Sequence, residues 1–164
     1  MKSLNQYIQE KLVINKDYRD NTIVVKSFDE LRQIIKDRYD KLGPGTKRNP
    51  IDFNDIDVSN LYSFCNDNDI GIFENINFKY IDISDWDVSN ATDMEVMFYG
   101  CGELESIGDL SNWNVSKVTN LSSMFYNCKS FNQDISDWDV SKVKFKTYIF
   151  LNCPIKNEYK PKFK

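Results

Sequence analysis

Apolar and polar residues along this chain form a repeating block between two flanking segments that do not repeat. Ser84 to Cys101, SDWDVSNATDMEVMFYGC, returns as SNWNVSKVTNLSSMFYNC from Ser111 to Cys128 and as SDWDVSKVKFKTYIFLNC from Ser136 to Cys153. Trp86, Trp113 and Trp138 share one column, Val88, Val115 and Val140 a second, Phe98, Phe125 and Phe150 a third, and Cys101, Cys128 and Cys153 a fourth. The copies begin 27 and then 25 residues apart. A degenerate earlier copy opens FNDIDVSNLYSF at Phe53, with Ile56 in the Trp column, Val58 in the Val column and, after a short insertion, Phe73 in the Phe column.

A unit of this size cannot bury an apolar face alone, so neighbours must supply the core, and the block predicts a solenoid over residues 51–153. Each copy follows one frame, Ile83-x-x-Trp86-x-Val88, Leu110-x-x-Trp113-x-Val115 and Ile135-x-x-Trp138-x-Val140, preceded by Phe53-x-x-Ile56-x-Val58. This is the L-x-x-L-x-L frame of a leucine-rich repeat. The Trp-x-Val alternation predicts a short strand with Trp and Val pointing inward. The period then lengthens: Ala91, Met94, Met97 and Phe98, like Val118, Leu121, Met124 and Phe125, have the spacing of the inner face of a short helix. A mostly β or 3₁₀ segment is the alternative. Thr92 and Glu95 fit a capping box at the start of that helix.

The flanks complete the expected architecture. In residues 1–50, Leu4, Tyr7, Ile8 and Leu12 share a helical face, NTIVV suits a short strand, and SFDELRQIIKDRYDKL suits a second helix with a capping box in Ser27 and Glu30. GPGTKRNP ends that helix. The expectation is an α/β fold: a short leucine-rich-repeat-like solenoid of about four strand–helix units, with an N-terminal α-β-α cap over 1–50 and a basic C-terminal tail over 154–164.

Charge separates the same three regions. Residues 1–50 hold 11 Lys and Arg against 7 Asp and Glu, residues 51–153 hold 6 against 17, and residues 154–164 hold 4 against 1. The acidic middle repels nucleic-acid phosphates, so direct nucleic-acid binding by that face is not expected. A polyanion at the basic tail is a lesser alternative to a solvated end. The chain has no His, which removes Ser-His-Asp and Cys-His catalysis and the commonest metal ligand. Its four cysteines form no Cys-x-x-Cys pair. A column of packed free thiols is favoured over disulfides or metal ligation. No metal and no cofactor are expected, and no enzyme. With no apolar leader and no stretch long enough to span a bilayer, the expected location is cytoplasmic and away from membranes.

DISDWDVSN followed by MEVMFYGC, and FNQDISDWDVSKV, resemble the repeats of the BspA-like, mycoplasma-lipoprotein type of leucine-rich repeat family. That resemblance covers about residues 51–153 and implies a right-handed solenoid, protein or surface binding, and no catalytic residues. Such repeats occur in bacterial surface proteins and in proteins of phages and mobile elements, where the location would be the virion or the host cytoplasm.

Candidate binding residues follow from the predicted strands. The positions that alternate with the inward ones are Asp55 and Asp57, Asp85 and Asp87, Asn112 and Asn114, and Asp137 and Asp139. On a leucine-rich repeat they line the concave face, where rows of like charge about 5 Å apart repel unless something compensates. A solvated face and a weak Ca²⁺ site are alternatives, although no EF-hand loop is present. The functional expectation is a non-enzymatic module that binds a protein partner with a basic surface through this acidic face. The alternative is an inhibitor or decoy that imitates phosphate and occupies a nucleic-acid-binding cleft of a host protein.

Overall fold

A computed structural model describes residues 22–163. The helix expected around Leu4 to Leu12 lies outside the described residues. In chain order the elements are β1 (Ile23–Val24), α1 (Phe28–Leu42), β2 (Ile51–Asp52), β3 (Ile56–Asp57), β4 (Ile81–Asp82) and a 3₁₀ turn at Asn157–Tyr159. β1 pairs in parallel with β3, Ile23 opposite Ile56, and β2 pairs in parallel with β4, Ile51 opposite Ile81.

The α1 helix forms where its pattern places it. Ser27, in extended backbone, accepts the Glu30 amide at 3.2 Å, and the Glu30 carboxylate accepts the Lys26 amide at 2.9 Å, so the reciprocal half of the capping box closes one residue early. Gly43, at φ 75°, ends the helix and donates its amide to the Tyr39 carbonyl at 2.7 Å. Leu31 and Ile35 on its inner face join the same buried cluster as Phe53, Phe73 and Phe78 of the first copy.

The repeats do not form the expected leucine-rich-repeat solenoid of about four strand–helix units. Among the described residues the only α-helix is α1, ahead of the repeats, and extended pairing is confined to two two-stranded sheets and isolated bridges. The Trp-x-Val segments of the three clear copies are irregular backbone between turns, and the segments around Met94 to Phe98 and Leu121 to Phe125 are turns. Two local causes compete with helix and strand. Asp and Asn side chains accept the amide two residues on, as in Asp87 to Ser89 at 3.0 Å and Asp93 to Glu95 at 2.9 Å, which fixes a turn. Val96, Ser123 and Tyr148, at φ 50°, 54° and 58°, then sit in the left-handed region, which no α-helix tolerates. The Thr92 hydroxyl donates across to the Tyr62 carbonyl at 3.1 Å, so Thr92 and Glu95 cap no helix.

The predicted core is nevertheless the observed one. Trp86, Trp113, Trp138, Val88, Val115, Val140, Phe98 and Phe125 are buried, and one cluster runs from Val25 to Ile155. Neighbouring copies place identical side chains over one another. Phe73, Phe98, Phe125 and Phe150 stack with ring centroids 5.1, 5.4 and 5.9 Å apart, and Trp113 lies over Trp138 at 6.0 Å. Copies are joined by parallel bridges, Ser63 to Asp93, Asp93 to Asn120 and Asn120 to Phe145. Where the backbone pairing lapses between Ile107 and Ile135, the Gln133 side chain accepts the Ile107 amide at 2.8 Å and donates to the Gly108 carbonyl at 2.8 Å. Its amide group stands in for a peptide.

Candidate functional site

The acidic positions singled out above divide by environment. Asp55 is buried, 7% exposed, and its two carboxylate oxygens each accept a 2.6 Å hydrogen bond from the Arg38 guanidinium on α1. It is therefore an interior ion pair and no part of an exposed row. Asp57 is half-buried in β3 and accepts the Ser59 amide at 2.9 Å. Of the eight residues it alone lies on a strand, so no concave strand face carries them.

Asp85, Asp87, Asn112, Asn114, Asp137 and Asp139 are exposed and lie on turns at equivalent positions of three successive copies. The second member of each pair is a turn former: Asp87, Asn114 and Asp139 accept the amides of Ser89, Ser116 and Ser141 at 3.0, 3.2 and 3.1 Å. The Ser89 hydrogen bonds, with Lys117 nearby, hold the Asp87 carboxyl below its ordinary range. The first member is held through the backbone where contacts exist, as in the Asp85 amide, which donates to the Asn54 side chain at 2.9 Å.

A second acidic column lies a few residues upstream. Asp52, Asp82, Asp109 and Asp134 accept the amides of Asn54, Ser84, Ser111 and Ser136 at 2.9, 3.1, 2.9 and 2.9 Å. Asp109 and Asp134 are exposed, and the Ser111 and Ser136 hydrogen bonds lower their carboxyls. Burial opposes ionisation of Asp82, and hydrogen bonds from the Ser84 hydroxyl and amide outweigh it. An Asp or Asn followed two residues later by Ser or Asn is the signal for both columns, and attention to outward strand positions passes over it.

The Trp and Cys columns are taken up by internal bonding. Trp86 and Trp113 donate their indole N–H to the carbonyls of Phe53 and Ile83 at 2.9 and 3.2 Å, while the buried Nε1 of Trp138 has no partner among the described residues. The four cysteines are free. The Cys101 and Cys128 thiols donate to the Phe73 and Phe98 carbonyls at 3.1 and 3.0 Å. Burial pushes Cys101 up to about 12 and Cys65 up to about 11, and raises Cys128 and Cys153 as well, so these are thiols and poor nucleophiles. Among the described residues no group of three or more Cys, Asp or Glu could hold a metal ion, and no helix is long and apolar enough to cross a membrane.

The chain is thus built from repeats held in register by backbone hydrogen bonds, stacked aromatic columns and side-chain-closed turns. It belongs to the family described as Mycoplasma protein of unknown function, DUF285, whose model matches residues 52–162. That match bears out the mycoplasma-type resemblance at the level of the family and carries no leucine-rich-repeat assignment. No curated protein and no solved structure matches the chain at a significant level.

Proposed function

We propose that the chain is a non-enzymatic protein-binding module whose exposed acidic turns engage a basic surface on a partner protein. Asp85 and Asp87 form one end of the contact and Asp137 and Asp139 the other, with Asn112 and Asn114 between them. The observation that carries this reading is rigidity. The second carboxylate or amide of each pair, that of Asp87, Asn114 and Asp139, is tied to its own backbone two residues on, so these groups are held in place and lose little freedom when a partner binds. Four exposed Asp side chains on an acidic middle region also speed encounter with a basic protein. We place the protein in a reducing compartment, because the buried thiols serve as hydrogen-bond donors only while unoxidised.

The test is capture from lysate of the source organism with the wild-type chain and with an Asp85→Asn, Asp87→Asn, Asp137→Asn, Asp139→Asn variant. A protein retained by the first and lost by the second supports the reading. Equal retention by both removes it. Displacement of the captured protein by DNA or RNA moves the assignment to a phosphate-mimicking inhibitor.

A further inference from the structure

The ladder that joins the copies has a direction. The amides of Met94, Val96, Phe98 and Gly100 donate to the carbonyls of Asn120, Ser122, Met124 and Tyr126 at 3.0, 3.0, 3.0 and 2.8 Å. Those of Leu121, Ser123, Phe125 and Asn127 donate to Phe145, Thr147, Ile149 and Leu151 at 2.9, 2.8, 2.9 and 2.9 Å. In this stretch each copy sends donors toward the C-terminal end of the array and acceptors toward the N-terminal end. Along this stretch the two ends are therefore chemically opposite, one presenting carbonyls and the other amides, while just ahead of it the sense reverses, with the Thr119 and Lys144 amides donating back to Thr92 and Thr119 at 2.8 Å each.

The carbonyl end is covered. The Arg32 guanidinium on α1 donates to the carbonyl of Gly71, to that of Ile72 at 3.0 Å and to that of Glu74 at 3.5 Å. Ile72 and Glu74 are the first-copy equivalents of Met97 and Tyr99, which accept from Phe73 and Asn75 in the ladder. The amide end is not paired: Tyr148, Phe150 and Asn152, the equivalents of Val96, Phe98 and Gly100, donate their amides to no backbone carbonyl among the described residues. The C-terminal segment closes the other side of this last copy, where the Ile135 amide reaches the Tyr159 carbonyl at 3.0 Å and Ile155 is buried, and it also lays Lys160 over the Phe150 ring at 5.7 Å and the Phe163 ring against Lys146 at 5.2 Å, without pairing the three amides.

Side chains along this edge match its open state. Phe145, Tyr148 and Leu151 are 61, 63 and 43% exposed, whereas the equivalent Asp93, Val96 and Tyr99 are buried or half-buried under the next copy. Lys142 and Lys144 are exposed beside them. An edge made of amide donors, lysines and large apolar groups needs an occupant that brings carbonyls, carboxylates and apolar cover together.

We propose that this edge docks an extended acidic segment of a partner polypeptide. Its backbone carbonyls accept from the amides of Tyr148, Phe150 and Asn152, its carboxylates face Lys142 and Lys144, and its side chains cover Phe145 and Tyr148. A second copy of the chain is disfavoured there, since pairing two such edges sets donor against donor and lysine against lysine. This edge uses residues other than those of the acidic turns and is opposite to them in charge.

The register of the array designs the probe. The Lys144 amide donates to the Thr119 carbonyl at 2.8 Å, so a segment laid on the last copy places its residues 117 and 119 beside Lys142 and Lys144. A synthetic peptide of residues 117–128 carrying Lys117→Glu, Thr119→Glu and Cys128→Ser is titrated into the full chain, and amide exchange is followed by NMR. Saturation is expected to slow exchange at Tyr148, Phe150 and Asn152 by at least about tenfold. The same peptide with Lys at both positions, and a chain carrying Lys142→Glu and Lys144→Glu, are expected to weaken binding by at least about tenfold. The variant with Asn at Asp85, Asp87, Asp137 and Asp139 is expected to bind the peptide as wild type does, which separates this proposal from the acidic-turn reading. Any of four results overturns it: no binding of the acidic peptide, equal binding of the Lys peptide, protection confined to other amides, or concentration-dependent protection of these amides in the free chain.

Discussion

The Arg38 guanidinium and the Asp55 carboxylate meet through two 2.6 Å hydrogen bonds beneath α1, with Arg38 5.1 Å above the Phe53 ring and also bonded to the Asp52 carbonyl at 2.6 Å. This bidentate pair joins the segment ahead of the repeats to the first copy. Removing one partner strands the other charge in the interior. Asp55→Ala is expected to lower unfolding stability by about 3 to 5 kcal/mol, and an Arg38→Met, Asp55→Leu double variant to recover much of it. Urea titrations of the three proteins check this, and an unchanged midpoint for Asp55→Ala would place the pair in solvent.

The Trp column allows a graded comparison. Trp113→Ala removes a buried ring and should cost about 3 to 5 kcal/mol. Trp86→Phe keeps most of the apolar volume but removes one of the two donors to the Phe53 carbonyl, which keeps the Ile56 amide at 3.1 Å, a loss of about 0.5 to 1.5 kcal/mol. Trp138→Phe should cost less than Trp86→Phe, because its Nε1 has no partner among the described residues to lose. Thermal melts of the two Phe variants give the order directly, and the reverse order would contradict the bonding scheme.

What the sequence disclosed and what it hid divide along physical lines. The recurrence of Trp, Val, Phe and Cys marks the core correctly, because burial depends on column and hardly on the backbone that carries it. Helix α1 was legible for the same reason that its ends are: Ser27 and Gly43 are local signals. The path within each copy was not legible from apolar spacing, since the spacing of Ala91, Met94, Met97 and Phe98 suits a helix as well as a run of turns. The deciding residues are polar. Asp87, Asp93 and Asp109 each bind an amide two residues on, and Val96 takes a positive φ that its β-branched side chain does not advertise. Asp55 was misplaced because its partner, Arg38, lies 17 residues away in another element.

Acid should loosen the turns. The carboxyls of Asp82, Asp87, Asp109 and Asp134 titrate below their ordinary range in the folded chain. Groups with lowered folded pKa stabilise the fold fully above the ordinary carboxylate range, and that contribution disappears as pH falls through the folded values. Stability should thus be flat in this respect above about pH 5 and fall below about pH 4. In the variant with Asn at 82, 87, 109 and 134 the acid slope should be shallower. Equal slopes in melting temperature against pH would assign the acid sensitivity to other groups.

The Cys column should resist alkylation until the chain unfolds. Cys101 is buried and its thiol is pushed up to about 12, which leaves very little thiolate near neutral pH. Iodoacetamide labelling followed by mass spectrometry across a urea series should show Cys101 and Cys128 reacting in step with global unfolding. Rapid labelling of either in the native range would contradict their placement.

The central claim, that the rigid acidic turns bind a basic protein partner, is tested most directly by isothermal titration of the captured partner into the wild-type chain and the four-Asn variant over a range of salt concentrations. The account predicts wild-type affinity that falls as salt rises, affinity in the variant reduced by about tenfold or more at low salt with an unchanged melting temperature, and a flattened salt dependence. Equal affinity and equal salt dependence in the two proteins would contradict it.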